Sequence, residues 1–194
     1  MVDTSFGPVL ATGRQQALDV LVSAFTADPV IRWLYPEDQS YPTLFPGFLE
    51  AFGGRAFGQG TAWKVGDHAA VALWLGPGIE ADGDAIVEYL LSTVAPAQHA
   101  DLESVLGQMD DAHPRYPIWY LPWFGVDAAL QGKGVGSELM ARCLTVVDGD
   151  HLPAYLETPN PRNVSFYERH GFEVVGESQA GACPPLMSML RAAR

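Results

Sequence analysis

Three glycines that follow an apolar, strand-like run constrain this chain more than any other feature. The segment Gln131–Ser137 joins that run, which ends at Val126, to a helical pattern that begins near Val135. The free N–H groups of a first helical turn and the positive end of the helix dipole attract a phosphate, and glycines let the backbone approach it closely. A strand, a glycine loop and a helix N-terminus therefore predict a site for a phosphorylated ligand.

The spacing of these glycines disfavours two common nucleotide-binding loops. A P-loop places its lysine after the last glycine, whereas Lys133 precedes Gly134 and Gly136. A dinucleotide fingerprint requires Gly-x-Gly-x-x-Gly, but the glycines here are evenly spaced and the loop does not open the first βαβ unit. A tight turn in which the glycines only satisfy the backbone stays open as an alternative.

A second motif follows the helix and favours a ligand site over a purely structural turn. Asn163 and Tyr167 stand four residues apart and precede a Gly-Phe pair, while Gln131, Gly134 and Gly136 match the pattern Gln/Arg-x-x-Gly-x-Gly/Ala. In this order and at this distance, the two motifs resemble those of the GNAT superfamily of acyl-CoA-dependent N-acetyltransferases. The loop and the second motif are therefore expected to serve one cofactor.

Composition places the chain among globular proteins. Its 194 residues suit a single domain over 1–194, with 48% hydrophobic and 18% charged residues and no apolar run long enough to span a bilayer. Met1–Thr4 lacks the basic and apolar regions of a signal peptide, so we expect a cytoplasmic protein without membrane contact. Two cysteines, Cys143 and Cys183, indicate neither a disulfide framework nor a metal cluster.

The net charge of the chain indicates which binding partners it can attract. The chain carries 11 Lys and Arg against 23 Asp and Glu, a formal net charge of −12. Nucleic-acid binding requires basic patches, so this balance argues against such a partner. A cationic small molecule would be attracted, although acidic surfaces also keep proteins soluble.

The hydrophobic pattern predicts alternating strands and helices. Strands are expected over residues 6–11, 61–65, 69–75, 118–126, 152–157, 172–176 and 186–190. Helices are expected over residues 14–25, 43–57, 135–147 and 163–169, with two more inside 76–114. The order is that of an α/β fold, and the connection through helix 135–147 predicts a parallel strand pair.

The resemblance, which is specific over residues 119–175 and weaker but compatible elsewhere, implies more about the fold. It implies a mixed, mostly antiparallel sheet with a parallel, splayed central strand pair and helices on both faces. The two-helix insertion before the central strand spans 76–114, and the cofactor-binding core spans 116–177.

The resemblance also implies acetyl-CoA as the acyl donor and no metal. Its pantetheine is expected in the wedge between the splayed strands, where a backbone N–H near residues 124–126 would meet the oxyanion. The residues expected to bind the cofactor are Phe124, Gly125, Val126, Gln131, Gly132, Lys133, Gly134, Val135, Gly136, Ser137, Asn163 and Tyr167. Asn163 also suits a helix cap, because it follows a proline by two positions.

Acetyl transfer to an amine needs a group that takes a proton and, usefully, an acid for the departing thiolate. The resemblance places the Tyr167 hydroxyl near the thioester sulfur, as an acid or as a packed positioning residue. Glu157, at the end of its strand, is the first candidate for the base, with an ion pair to Arg162 as the alternative. His113 has a suitable pKa, yet it also fits a turn before a proline.

The resulting expectation is an N-acetyltransferase that moves an acetyl group to a primary amine of a small, possibly cationic molecule, by direct attack in a ternary complex. Aromatic residues before the central strand are candidates for the acceptor pocket or for the core: Trp33, Tyr35, Trp74, Tyr89, Trp119 and Tyr120. A catalytically silent acyl-CoA-binding domain is the alternative. A nucleotide-linked oxidoreductase fits least well, since it leaves Asn163 and Tyr167 unexplained. The sequence leaves a monomer and a homodimer equally open.

Overall fold

A mixed sheet of seven strands forms the centre of the molecule. The structure, a computed structural model, describes residue 3 and residues 5–194. The strands are β1 Phe6–Pro8, β2 Ala62–Val65, β3 Ala70–Leu75, β4 Trp119–Val126, β5 Ala154–Thr158, β6 Glu173–Ser178 and β7 Leu186–Arg191. They lie in the order β1-β2-β3-β4-β5-β7-β6, and every neighbouring pair is antiparallel except β4 and β5. The predicted mixed, mostly antiparallel sheet is confirmed.

Helices cover both faces of this sheet. They are α1 Arg14–Ala24, α2 Pro29–Leu34, α3 Tyr41–Gly53, α4 Arg55–Gln59, α5 Gly83–Thr93, α6 His99–Ala112, α7 Val135–Val147 and α8 Pro161–Arg169. One hydrophobic core joins the sheet to α1, α2, α3 and α5, and a second joins the opposite face to α7. Helices α5 and α6 form the predicted two-helix insertion before the central strand.

The parallel strands β4 and β5 separate along their length. Their register contains only the pairs Trp119 with Ala154 and Tyr120 with Tyr155, at the N-terminal end of each strand. Beyond Tyr120, the backbone of β4 that faces β5 has no partner from that strand. The predicted splayed pair is therefore present, and it opens a gap in the middle of the sheet.

A β-bulge in β4 lies beside this gap. Leu73 of β3 pairs with Trp123 and Leu75 pairs with Tyr120, so two steps along β3 oppose three steps along β4. The extra residue changes the face to which β4 side chains point, since Tyr120 and Trp123 share one core despite their odd spacing. Pro122 lies inside the bulge, where a missing backbone N–H is tolerated.

Two helical predictions were wrong in detail. The single helix predicted over residues 43–57 divides at Gly54 into α3 and α4, because consecutive glycines at 53 and 54 weaken a helix. Helix α2 is not among the helices predicted from the hydrophobic pattern. Its start carries a recognisable signal, with Asp28 as the N-cap and Pro29 at the first helical position.

No helix formed by the described residues is long and apolar enough to cross a membrane. The signal-peptide prediction concerns Met1, Val2 and Thr4, which lie outside the described residues.

Candidate active site

The glycine loop forms an open cradle at the N-terminus of α7. Gly132 and Gly134 adopt positive φ angles of 72° and 82°, a region that suits glycine. A Cβ atom at either position would meet nothing within 4 Å, so the space above the loop is free. No side chain caps α7, and within the described part of the chain the N–H groups of residues 135–137 have no acceptor. The predicted strand, loop and helix are confirmed, and their geometry fits a phosphate group.

Side chains of the loop hold its shape. The Gln131 amide donates a hydrogen bond to the Val126 carbonyl over 3.2 Å, and the Lys133 ammonium donates one to the Ala129 carbonyl over 2.9 Å. Gly136 packs closely against β4, because a Cβ there would lie 3.1 Å from Cγ2 of Val126. Val135 is buried beneath the loop, whereas Ser137 is exposed in the first turn of α7.

The end of β4 presents alternate residues to the two cores. Phe124 and Val126 pack on the face covered by α7, and the Phe124 ring lies 5.6 Å from that of Phe166. Gly125 faces α1, where a Cβ would lie 2.9 Å from Cδ2 of Leu21. Gly125 is therefore needed for the packing of α1, in addition to any backbone contact with a cofactor.

A cavity of about 100 Å³, called here the inner cavity, lies at the splayed ends of β4 and β5. Its lining includes Phe124, Glu157, Asn163 and Tyr167, four of the residues selected from the sequence. They come from β4, β5 and α8, so the fold brings together positions that are up to 43 residues apart. The lining also includes Asp28, which the sequence analysis did not select.

Tyr167 projects from α8 into this cavity and is 7% exposed. Burial, and to a smaller extent the charge of Asp28, raises the pKa of the Tyr167 phenol well above its usual value. Among the described residues, no acceptor takes a hydrogen bond from its hydroxyl. Tyr167 therefore carries its proton at neutral pH and has it free for a ligand.

Glu157 borders the inner cavity from β5. Its carboxylate accepts a hydrogen bond of 2.8 Å from the Tyr120 hydroxyl, and this contact takes the place of the ion pair with Arg162 considered from the sequence. Burial raises the pKa of Glu157 to about 7, although the hydrogen bond from Tyr120 opposes the shift. A carboxylate with this pKa can exchange a proton near neutral pH.

A second and more open cavity of about 730 Å³, the outer cavity, lies beneath the α5–α6 insertion. It shares Tyr120 and Glu157 with the inner cavity. Besides Glu157, its acidic lining residues are Glu80, Asp84, Glu103 and Asp110. Asp110 pairs with Arg115 over 2.9 Å, whereas the other three form no ion pair within the described residues. Arg115 also lines the outer cavity, but the carboxylates outnumber it, so the outer cavity is electronegative.

His113 lies in the outer cavity at the end of α6. Its ring packs edge-on against Tyr120 and Tyr155, with centroid distances of 4.9 and 5.2 Å. Burial, and then the neighbouring Arg115, lowers the pKa of the His113 imidazole. His113 is therefore close to Glu157 through its aromatic neighbours, but it is not part of the inner cavity.

Several candidates from the sequence have structural roles. Of the six aromatic residues proposed for the acceptor pocket or the core, only Trp33 and Tyr120 line either cavity, whereas Trp74 and Trp119 belong to the core on the opposite face. The cap of α8 is Asn160, whose side chain accepts a hydrogen bond from the Arg162 N–H, so the capping role suggested for Asn163 was wrong. Asn163 instead lies at the exposed rim of the inner cavity.

Asp28 is the functional candidate that sequence reasoning missed. It caps α2 and is 8% exposed, and burial raises the pKa of its carboxyl to about 6. An Asp-Pro pair at a helix start was its only local signal. No group of three or more metal-binding side chains occurs in the part of the chain that the structure describes.

Comparison with known proteins gives a consistent family and fold. The profile of the Acetyltransferase (GNAT) family matches residues 41–172. An uncharacterized N-acetyltransferase of Schizosaccharomyces pombe, C550.08, is 28% identical over 184 residues, which covers 84% of this chain and 72% of that protein.

Solved structures resemble the whole chain. One is a Corynebacterium glutamicum protein described as histone acetyltransferase HPA2 and related acetyltransferase. It superposes with a TM-score of 0.70 at 22% identity, and the match covers 100% of this chain and 98% of the Corynebacterium chain. Another is the Drosophila melanogaster polyamine N-acetyltransferase, described as forming N-acetylagmatine. It gives a TM-score of 0.68 at 13% identity, and the match covers 98% of this chain and 100% of the Drosophila chain. At these identities, the likeness concerns the fold alone.

Proposed function

The chain belongs to the GNAT acetyltransferase family, and from this premise we propose that it transfers an acetyl group from acetyl-CoA to a primary amine of a small molecule. The transfer occurs by direct attack within a ternary complex. One observation carries the proposal: Tyr167 and Glu157 line a single cavity at the gap between β4 and β5. A candidate acid and a candidate base thus share the space next to the cradle of α7.

The cofactor-binding part of the proposal covers residues 116–177. The open loop at Gly132 and Gly134, with the free N–H groups that follow, would receive the phosphates of acetyl-CoA. The splayed backbone of β4 would receive the pantetheine, and Asn163 at the cavity rim would contact it. When bound there, acetyl-CoA supplies an activated acyl thioester.

Glu157 is the proposed base. An amine arrives protonated at neutral pH and has to lose a proton before it can attack. With a pKa of about 7, the Glu157 carboxylate is ionised in about half of the molecules at pH 7 and accepts a proton without a large energetic cost. His113, on the outer side of Tyr120, is the second candidate for relaying the proton.

Tyr167 is the proposed acid. Its hydroxyl stays protonated and lacks a partner among the described residues, so it can donate to the sulfur that leaves. The elevated pKa makes Tyr167 a weak acid, and its contribution consequently depends on position more than on acidity.

The outer cavity supports a cationic acceptor. Three carboxylates that pair with no cation among the described residues, those of Glu80, Asp84 and Glu103, line a volume large enough for a small organic amine. Their charge attracts an ammonium group and directs it towards Glu157. The polyamine N-acetyltransferase among the structural neighbours acts on an acceptor of this kind.

Thiol release from acetyl-CoA tests the proposal directly. Wild-type protein should release CoA when 1,4-diaminobutane, spermidine or 2-phenylethylamine is added, whereas Glu157→Gln should lose at least about 100-fold in kcat. Glu88→Gln, which alters an exposed carboxylate on α5, is the matched control and should retain full activity. Acetyl-CoA binding with no thiol release from any amine would contradict the proposal and support a silent acyl-CoA-binding domain.

A further inference from the structure

Asp28 holds its position through only one of its carboxylate oxygens. Oδ1 accepts both capping hydrogen bonds of α2, from the N–H of Val30 over 3.1 Å and from that of Ile31 over 3.0 Å. Across the described residues, Oδ2 accepts no hydrogen bond, and Asp28 forms no ion pair. The residue is 8% exposed and lines the inner cavity. Within the described part of the chain, Asp28 is thus a buried residue with one unpaired carboxylate oxygen, and this oxygen keeps some accessible surface at the cavity wall.

The surroundings make this free oxygen unusual. The neighbouring cavity wall is apolar and is formed by Phe25, Ile31, Leu34, Phe48 and Leu90. Charged groups in such surroundings are normally paired, because an unpaired charge out of water is strongly unfavourable. The cap does not require the charge either, since Asn or Ser at an N-cap stabilises a helix about as well as Asp. Within the described residues, the charge of Asp28 therefore has the capping N–H groups as its partners but no cation, and the cap itself does not require a charge.

The position of Asp28 relates it to the reacting groups. It lines the same small cavity as Glu157 and Tyr167 and is close enough to Tyr167 for its charge to influence that phenol. The cavity has room for an acetyl group and an amine nitrogen, but not for the body of an acceptor. Both cavities include Glu157 in their walls, so a cation that moves past Glu157 from the outer cavity would reach the cavity that Asp28 lines.

We propose that Oδ2 of Asp28 accepts a hydrogen bond from the protonated nitrogen of the acceptor and anchors it in the inner cavity. Glu157 then takes the proton, and Asp28 stays ionised throughout. The inference rests on the proposed acetyl transfer and narrows its acceptors to primary ammonium groups on a chain thin enough to pass from the outer cavity to the inner one. Asp28 thereby acts as a binding and specificity residue.

Asp28→Asn tests this role while keeping the helix cap. Its carbonyl oxygen can still accept from Val30 and Ile31, so the fold should be preserved and the thermal midpoint should not fall. We expect the KM for 1,4-diaminobutane and for 2-phenylethylamine to rise at least tenfold, with the KM for acetyl-CoA unchanged. Asp82→Asn is the control, because Asp82 also caps a helix, α5, and lines neither cavity; its second carboxylate oxygen pairs with Arg55.

Asp28→Ser, which also retains a cap, should give the same increase in KM and replaces the asparagine variant if that variant unfolds. Unchanged KM values for the amines in a folded variant would overturn the anchoring role and leave the acetyl transfer intact.

Calorimetric titration of the CoA-bound protein with the same amines separates the two proposals. Wild-type protein that binds these amines without acetylating any of them would refute the acetyl transfer, and loss of this binding in Asp28→Asn would still support the anchor. Binding that is equal in wild type and variant would refute the anchor. Neither binding nor turnover of any amine in the panel would overturn both.

Discussion

Replacing Glu157 with glutamine should stabilise the protein while it removes activity. A buried carboxyl whose pKa rises from 4.5 to about 7 on folding destabilises the folded state once it ionises. The unfolded chain releases this proton near pH 4.5, whereas the folded chain keeps it until about pH 7. The cost is thus absent below pH 4.5, grows as the pH rises, and is complete above pH 7.

The magnitude follows from the size of the shift. At 1.36 kcal/mol per pKa unit, the cost is at most about 3 kcal/mol at pH 8 and about 1 kcal/mol at pH 5. Glu157 retains some exposure to the cavities, so the measured values should lie below these limits. Glutamine has no charge to bury and keeps an oxygen that accepts the hydrogen bond from Tyr120.

Thermal unfolding at two pH values measures the effect. For a chain of this length, a gain of 3 kcal/mol corresponds to a rise in the midpoint of at most about 10 °C. We expect Glu157→Gln to unfold several degrees above wild type at pH 8 and close to wild type at pH 4.5. Glu88→Gln, an exposed control on α5, should show no such difference. A midpoint for Glu157→Gln equal to or below wild type at pH 8 would refute the argument from burial.

Four further outcomes follow from the site and its support. With saturating amine, kcat should fall about tenfold per pH unit below pH 7, because Glu157 takes up a proton. A kcat that stays constant between pH 5.5 and 7 would count against Glu157 as the base. Tyr167→Phe should lower kcat by about 10- to 100-fold at an unchanged KM for acetyl-CoA, and undiminished turnover would exclude the acid role. Gly136→Leu should weaken acetyl-CoA binding at least tenfold in calorimetry, because its side chain would press against β4; affinity equal to wild type would show that the cradle lies elsewhere. Asp148→Ala should lower the free energy of unfolding in urea by about 3 kcal/mol. The substitution leaves the guanidinium of Arg191 without its carboxylate partner, and Arg191 is only 2% exposed. A loss below about 1 kcal/mol would mean that water replaces the partner.

The parts of the site that are local in sequence could be predicted. The loop at 131–137 and the pair Asn163 and Tyr167 carry their own spacing, and a short strand, a loop and a helix form one continuous unit. The parallel pair of β4 and β5 followed from the helical connection between them, because such crossovers join parallel strands.

The cavities could not be predicted, because they depend on contacts between distant segments. Asp28 lines the same cavity as Tyr167 only after α1 and α2 pack on the sheet, and nothing in the local sequence indicates that the two residues share a cavity. Whether Trp119 and Tyr120 line a cavity or belong to the opposite core depends on the face of the sheet to which each side chain points. The bulge at Pro122 interrupts the alternation of β4 side chains between the two faces. Helix α2 is too short for a hydrophobic period, so only its cap could have revealed it.

Direct attack on acetyl-CoA in a ternary complex can be distinguished from a covalent route by initial rates measured with both substrates varied. Both cysteines of the chain are buried and reduced, and the proposed mechanism uses no covalent enzyme intermediate. Double-reciprocal plots of thiol release against acetyl-CoA, at several amine concentrations, should therefore give lines that intersect, with the rate lost in Glu157→Gln. Parallel lines would reveal an acetylated enzyme and contradict direct attack in a ternary complex.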